Sequence, residues 1–202
     1  AALRDLRDRV QIATKFGSRI DEAARQVPGH RELPAELPAA CEASLRRLGV
    51  DTIDLYLLHL RDFASDRAGE VCDALAALVA AGKIRAYGWS TDDPLRARIV
   101  ADHGGSAVEQ AFNVLQGDAA TLALCEERGL ASIQRSPRGR GFLTASDERR
   151  APPRGDVRAA FDPQHGRAKP LLERARRLDQ LVSASGRTRV QCPLGFLLEN
   201  ST

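Results

Sequence analysis

Three short apolar segments of this 202-residue chain are each followed by polar side chains that are suited to catalysis. Lys15 follows the first segment, His59 the second, and the pair Ser90-Thr91 the third. A lysine near a histidine can hold the imidazole neutral and polarise a substrate oxygen, which provides general-acid and electrostatic catalysis for carbonyl chemistry. Each residue alone is typical of a solvated strand end. Their recurrence at successive strand ends predicts one site.

The elements that would position these residues alternate between strand and helix. Leu45 and Leu48 recur at helical spacing before Gly49, and residues 53–58 are apolar on both faces, as in a parallel sheet covered by helices. The same pattern repeats along the chain. It predicts strands at 10–14, 53–58, 84–90, 107–112 and 130–135, and helices at 40–48, 65–81, 93–100 and 118–129. Parallel strands bring their carboxyl ends, and the polar groups that follow them, to one rim.

The number of strands limits the fold. Five parallel strands are too few for a closed α/β barrel, which has eight strands and takes roughly 250 residues. The chain is therefore predicted to be either a doubly wound open sheet or part of a barrel. No G-x-G-x-x-G motif follows the first strand, which argues against a doubly wound dinucleotide-binding fold. Gly139-Arg140-Gly141 follows the fifth strand, where a barrel places its phosphate-binding loops.

The last third of the chain departs from the alternation. Residues 138–167 are rich in Gly, Pro, Arg and Asp without periodicity, which predicts a long irregular loop. A helix is predicted at 170–183. In the final segment, 188–198, Pro193 and Gly195 argue against a regular helix. We expect all 202 residues to form a single partial α/β-barrel domain.

Composition argues against several classes of protein. Hydrophobic residues make up 43% of the chain and charged residues 28%, and the net charge of +3 comes without the interleaved aromatic residues of a nucleic-acid platform. The four cysteines lie far apart, mostly in apolar helical segments, which favours reduced thiols over disulfides or a metal site. No apolar segment is long enough for a membrane span. These observations predict a cytoplasmic protein without a metal, a nucleic-acid partner or a membrane partner.

Four sequence motifs resemble, in order and spacing, those of the aldo-keto reductases, which are NAD(P)H-dependent α/β-barrel oxidoreductases. The motifs are ATKFG at 13–17, SLRRLGVDTIDLYLLH at 44–59, GKIRAYGWST at 82–91 and RSPRGRGFLT at 135–144. The resemblance covers strands three to seven of the eight, so it implies an incomplete (β/α)8 TIM barrel. It also implies hydride transfer between a nicotinamide cofactor, NADPH or alternatively NADH, and a small-molecule aldehyde or ketone.

The resemblance gives roles to the residues at the strand ends. Lys15 takes the place of the catalytic lysine, and His59 takes the place of the catalytic histidine. Ser90 and Thr91 stand where the family binds the nicotinamide carboxamide with a serine and usually an asparagine. Thr91 is therefore a departure from the family pattern.

A second departure lies in the next strand. The family places a glutamine four residues before the asparagine of a Tyr-Asn pair, whereas here Phe112-Asn113 fills the pair, position 109 is glutamate and Gln110 follows it. Period-two alternation puts Glu109 on the same side as Asn113. Either a one-residue bulge brings Gln110 to the cofactor, or the contact with the carboxamide is altered.

The resemblance also extends to the segment after the fifth strand. Arg135 stands where many members stack a tyrosine on the nicotinamide, and a guanidinium plane can also stack on that ring. Ser136, Gly139 and Gly141 would then approach the pyrophosphate. These four residues complete the predicted cofactor site.

The resemblance places the family's catalytic aspartate and proton-donating tyrosine upstream of the first motif, and no motif gives that role to Tyr56 or Tyr87. One hypothesis is a carbonyl reductase, longer than this sequence or completed by another chain. The other is a truncated, non-catalytic or repurposed binding or assembly subunit. In both, open edges at the first and fifth strands favour homo-oligomers. A Schiff-base role for Lys15, as in barrel aldolases, lacks a second supporting motif.

Overall fold

The computed structural model of the chain describes residues 4–21, 23–24, 26–60, 63–143 and 168–199. The chain divides into two compact units, residues 1–110 with 119–133 and residues 111–118 with 134–202. Each unit has a hydrophobic core of its own. The part of the predicted loop that runs from 144 to 167 lies outside the described residues.

The first unit is built on a sheet of five strands with helices against it. The strands of the chain are β1 (Ala13–Phe16), β2 (Ser18–Asp21), β3 (Gln26–His30), β4 (Ile53–Leu58), β5 (Ile84–Ser90), β6 (Ala107–Ala111) and β7 (Ala131–Arg135), of which the last residue of β6 and the last two of β7 belong to the second unit. The helices of the first unit are α1 (Leu37–Leu48), α2 (Ala68–Ala80), α3 (Pro94–Asp102) and α4 (Ala119–Arg128). The large sheet has the order β1-β4-β5-β6-β7, and β2 and β3 form a separate antiparallel pair. The five predicted strands are thus confirmed, although the first begins at Ala13 and not at Val10.

Packing follows the apolar pattern of the sequence. The strand β4 is largely buried on both faces, as its mostly apolar sequence predicts. On one face, Phe16 stacks on Tyr56 with ring centroids 4.5 Å apart, in a core shared with the buried residues of α1 and α2. Helix α1 ends at Gly49, whose φ of 67° is the left-handed conformation that commonly stops a helix.

The large sheet is strongly curved. In a flat sheet, β1 and β6 would lie about 14 Å apart, because two strands separate them and neighbouring strands are about 4.8 Å apart. Side chains stand roughly perpendicular to a sheet, so they would not close that gap. Yet the ammonium of Lys15 in β1 lies 2.8 Å from the carboxylate of Glu109 in β6. Of the two predicted folds, this curvature favours part of a barrel over a flat open sheet.

The second unit is helical. It contains α5 (Lys169–Ser185) and α6 (Gln191–Glu199), together with a short turn of 3-10 helix at Gly139–Gly141. Its core includes Phe142 and Leu143, which follow the turn, and Ala175 of α5. Across all described residues, no helix combines the length and hydrophobicity that crossing a membrane requires.

The prediction that Pro193 and Gly195 disrupt the last segment is wrong, because α6 is a regular helix. Pro193 lies close to the start of the helix, where its missing N–H removes only one early hydrogen bond. The helix entrance is held by a capping box: the Thr188 hydroxyl accepts from the Gln191 N–H at 3.2 Å, and the Gln191 side chain accepts from the Thr188 N–H at 2.9 Å. The Thr-x-x-Gln spacing was the sequence signal for this helix.

Candidate active site

Four neighbouring parallel strands bring Lys15, His59, Ser90 and Glu109 to the carboxyl end of the first unit's sheet. Lys15 is the next-to-last residue of β1, Ser90 is the last residue of β5, and His59 follows β4 directly. Glu109 of β6 lies opposite Ser90 in the β5–β6 register. The apolar strands therefore place these four polar residues within one rim of the sheet.

All four residues belong to the same face of the sheet. Phe16 and Tyr56 point toward the helices, where they stack on each other. Lys15 comes directly before Phe16, and Leu57 comes directly after Tyr56. Lys15 and Leu57 are partners in the β1–β4 register. Because successive side chains alternate, Lys15 and Leu57 turn away from the helices, and His59 continues the Leu57 side of β4.

Glu109 connects Lys15 with Ser90. One carboxylate oxygen lies 2.8 Å from the Lys15 Nζ, and the other accepts a hydrogen bond of 2.6 Å from the Ser90 hydroxyl. The Glu109 side chain is 11% exposed, whereas that of Lys15 is 38% exposed. Both carboxylate oxygens are thus held by charge-assisted or short hydrogen bonds, and the ammonium keeps an accessible side.

His59 is exposed beside the end of β1. Its backbone N–H donates to the Phe16 carbonyl at 2.8 Å, which extends the β1–β4 pairing by one residue. The sequence prediction that Lys15 and His59 end neighbouring strands therefore agrees with the strand order. Their catalytic roles stay predictions at this point.

Thr91 forms hydrogen bonds in the turn that precedes α3. Its hydroxyl accepts from the Asp93 N–H at 3.1 Å, and its own N–H donates to the Glu109 carbonyl at 2.9 Å. Asp93 in turn caps α3, because its carboxylate accepts from the Leu95 N–H at 2.9 Å. The departure from asparagine at this position thus places a short hydroxyl in a local turn, and Thr91 is 4% exposed.

Gln110 lies apart from the Lys15 and Ser90 side chains. The β5–β6 register runs without interruption through Ser90 and Glu109, so no bulge brings Gln110 to their face. Its side-chain amide instead donates to the Ser132 hydroxyl at 3.0 Å, and Gln110 is 1% exposed. Of the two alternatives from the sequence, the register favours an altered carboxamide contact through Glu109. Period-two alternation was the signal that identified Glu109.

The residues predicted to hold the pyrophosphate lie in the second unit. Arg135 ends β7, and Ser136, Gly139 and Gly141 follow it with positive φ angles of 59°, 55° and 89°. The Ser136 carbonyl accepts from the Gly139 N–H at 2.8 Å and from the Asn113 side chain at 3.0 Å. The Gly141 N–H is likewise bound to a carbonyl inside the turn. Both glycine N–H groups are thus used locally, and in this conformation they are not donors for a phosphate.

Gly88 leaves room for the strand pairing beneath the site. A Cβ atom at this position would lie 1.9 Å from the Ala107 carbonyl oxygen and 3.0 Å from the Leu57 side chain. Gly88 is the register partner of both residues. The close approach of β5 to β6, which sets Ser90 opposite Glu109, therefore requires glycine two residues earlier.

The two tyrosines of the chain lie on the other face of the sheet. Tyr56 is fully buried, with its hydroxyl 3.3 Å from that of Ser44, and burial raises its pKa above the usual value. Tyr87 donates to the His103 carbonyl, and burial raises its pKa as well. Neither tyrosine shares the face of Lys15, which agrees with the absence of a motif for them.

A second charged cluster lies at the opposite, amino-terminal end of the sheet, and the sequence analysis missed it. The Asp54 carboxylate is 2.8 Å from Arg7, 3.3 Å from Arg85 and 2.8 Å from the Ile12 N–H. Burial alone would raise the pKa of Asp54, but the Ile12 N–H and the two guanidinium groups lower it below its usual value. The signal was an aspartate inside an apolar strand, which is rarely buried without partners.

Among the residues that the structure describes, no group of three or more His, Cys, Asp or Glu side chains could hold a metal ion. The cysteines Cys41, Cys72 and Cys125 are buried and unpaired with each other. Burial raises the pKa of the Cys72 thiol to about 11, which keeps it protonated.

A model of the aldo/keto reductase family matches residues 1–201. The chain belongs to this family. Among curated proteins, it is similar to the aldo-keto reductase yakc of Schizosaccharomyces pombe, whose name specifies NADP(+). The two are 29% identical over 204 residues, which cover 95% of this chain and 58% of the relative. The resemblance that the four motifs indicate is thus confirmed.

Solved structures of aldo-keto reductases share the fold. A glycerol dehydrogenase from Gluconobacter oxydans matches with a TM-score of 0.77 and 24% identity over 98% of this chain and 63% of that one. An aldo-keto reductase from Klebsiella pneumoniae, solved with NADPH, matches with a TM-score of 0.60 and 24% identity over 96% of this chain and 58% of that one. The fold is therefore that of the (β/α)8 barrel, of which five strands are seen here. The chain spans about three fifths of the length of these proteins.

Proposed function

We propose that the chain binds NADPH at the carboxyl end of its curved sheet and contributes Lys15 and His59 to the reduction of a small aldehyde or ketone. The observation that carries this proposal is the ammonium of Lys15, which is anchored by Glu109 at 2.8 Å yet keeps an accessible side. The exposed His59 follows the neighbouring strand on the same face. Membership in the family and the NADP(+) of the yeast relative's name support the choice of cofactor.

Ser90 and Glu109 can satisfy part of the hydrogen bonding of a nicotinamide carboxamide. Because the Ser90 hydroxyl donates its proton to Glu109, its oxygen is left as an acceptor for the amide N–H groups of a nicotinamide. A glutamate, unlike a glutamine, has no N–H for the amide oxygen. The accessible ammonium of Lys15 is the nearby donor that fits this oxygen or that of the substrate. When bound, NADPH supplies a hydride for the carbonyl carbon.

The side chains of the rim stabilise the charge that develops on the substrate oxygen. The Lys15 ammonium is a preformed cation that stays in place because both oxygens of its carboxylate partner are held. In this proposal the His59 imidazole donates a hydrogen bond to the same oxygen, which is supported by its exposure at the end of the neighbouring strand.

Nucleotide binding tests the proposal directly. We expect NADPH to bind, measured by the enhancement of its fluorescence, and to protect Lys15 from reductive methylation, measured by mass spectrometry. Lysine occurs only at positions 15, 83 and 169, so the modified sites are readily resolved. Lys83 is a matched internal control, because it also lies 2.8 Å from a glutamate, Glu42, and is similarly exposed. NADPH should leave its methylation rate unchanged.

Turnover provides the second measurement. In a form of the protein that oxidises NADPH with an activated aldehyde, Lys15→Ala and His59→Ala should each lower the rate by about 10² to 10⁴, the usual effect of removing a positioned acid or base. Tyr56→Phe and Tyr87→Phe should not, because both tyrosines face the helices. No protection of Lys15, or loss of turnover only in a tyrosine variant, would contradict the proposal. Binding without turnover would favour the non-catalytic alternative.

A further inference from the structure

The bridge from Lys15 through Glu109 to Ser90 places two opposite charges at the predicted nicotinamide site. The carboxylate is 11% exposed and touches both the lysine ammonium and the serine hydroxyl. Since a buried charge is weakly screened by solvent, its effect reaches a ligand bound at Ser90. The pair is balanced, because one positive and one negative group lie 2.8 Å apart.

We propose that Glu109 is a positioning residue that also sets the preference of the site between the oxidised and the reduced nicotinamide. This rests on the proposed function in one respect, namely that the nicotinamide ring binds next to Ser90. The oxidised ring carries a positive charge and the reduced ring carries none. An unbalanced charge at Ser90 must therefore change the affinity for NADP+ more than the affinity for NADPH.

The sign of the effect follows from which member of the pair is removed. Glu109→Gln leaves the Lys15 ammonium unbalanced, and this cation repels the oxidised ring. Lys15→Met leaves the Glu109 carboxylate unbalanced, and this anion attracts the oxidised ring. The two substitutions should shift the ratio of the dissociation constants in opposite directions. The double variant carries no charge at either position and should return close to the wild-type ratio.

The test is calorimetric titration of the whole chain with NADP+ and with NADPH. Because Lys15 is partly exposed, we expect a shift of about threefold to tenfold in the ratio of the two dissociation constants for each single variant, smaller than an unscreened pair would give. The double variant should lie within about twofold of the wild type. Glu109→Asp keeps the charge and should keep the ratio.

Controls separate this role from a loss of structure. A structural defect in Glu109→Gln would weaken both nucleotides alike and leave their ratio unchanged, which would overturn the inference. Glu42→Gln makes the same chemical change in a lysine–glutamate pair of equal length outside the rim, and it should leave the ratio unchanged. A ratio that shifts in the same direction for Lys15→Met and Glu109→Gln would also overturn it.

The outcome distinguishes this inference from the proposed function. If the wild-type chain binds neither nucleotide, the proposed function fails. In that case Glu109→Gln should still speed the reductive methylation of Lys15 relative to Lys83, because it breaks the ion pair that holds the ammonium. If both nucleotides bind and the ratio does not respond to either charge, only the assignment of Glu109 fails.

Discussion

The two ends of the same sheet hold a carboxylate in different ways. At the amino-terminal end, Asp54 is 6% exposed and is surrounded by a backbone N–H and two guanidinium groups, one of them that of Arg7. At the carboxyl end, Glu109 is also nearly buried, but its cation, Lys15, is 38% exposed. The first carboxylate is enclosed within the fold, whereas the second holds a cation that a ligand can reach. The comparison predicts a larger contribution to stability from the amino-terminal end, and the proposed function uses the carboxyl end.

The largest expected effect on stability is at the amino-terminal end. Asp54→Asn leaves the partly buried Arg7 without its counter-charge, and it leaves a single side-chain oxygen for the Ile12 N–H and the two guanidinium groups. We expect a loss of about 2 to 3 kcal/mol in the free energy of unfolding, below the upper range for buried ion pairs because Arg7 keeps some contact with water. Urea denaturation measures it. The affinity for NADPH should stay as in the wild type. If the free energy of NADPH binding changed more than the free energy of unfolding, the amino-terminal end would not be purely structural.

Acid should produce a smaller effect at the same place. Because the folded-state pKa of Asp54 is depressed, its contribution is fully present above the unfolded pKa of about 3.9 and is lost as pH falls through the folded value. The protonated carboxyl still forms hydrogen bonds, so the loss should be less than that from Asp54→Asn. Denaturation midpoints measured from pH 6 downward in wild type and variant should converge in acid. If the midpoints of wild type and variant fell in parallel with pH, a group other than Asp54 would cause the acid sensitivity of the protein.

The smallest effect on stability is expected at the carboxyl end. Glu109→Gln keeps the shape of the side chain and its contact with Ser90, and the accessible Lys15 ammonium can be solvated instead. We therefore expect a loss of only about 1 kcal/mol in the free energy of unfolding. A loss equal to that of Asp54→Asn in the same urea series would mean that Glu109 is mainly a structural residue.

The strands and their order were predictable because β4 is mostly apolar on both faces, as in a covered parallel sheet, and because strands and helices alternate regularly along the chain. The positions of Lys15 and His59 follow from that order. The partners of these residues were harder to predict, since Glu109 meets Lys15 only through the curvature of the sheet, which no local pattern records. The ion pairs of Asp54 depend on Arg7, forty-seven residues away along the chain. The helix α6 was missed for a different reason, because the prediction rested on Pro193 and Gly195 and did not use the Thr-x-x-Gln spacing of the capping box.

Gly88 makes the geometry of the rim depend on a residue that contributes no side chain to it. Its backbone lies in a regular strand and any amino acid could adopt it, so the requirement is for space alone. With the Ala107 carbonyl oxygen 1.9 Å from where a Cβ would lie, even alanine has no room unless β5 and β6 separate. In a scan of all substitutions, position 88 should therefore tolerate fewer replacements than either Ser90 or Glu109, although it touches neither charge.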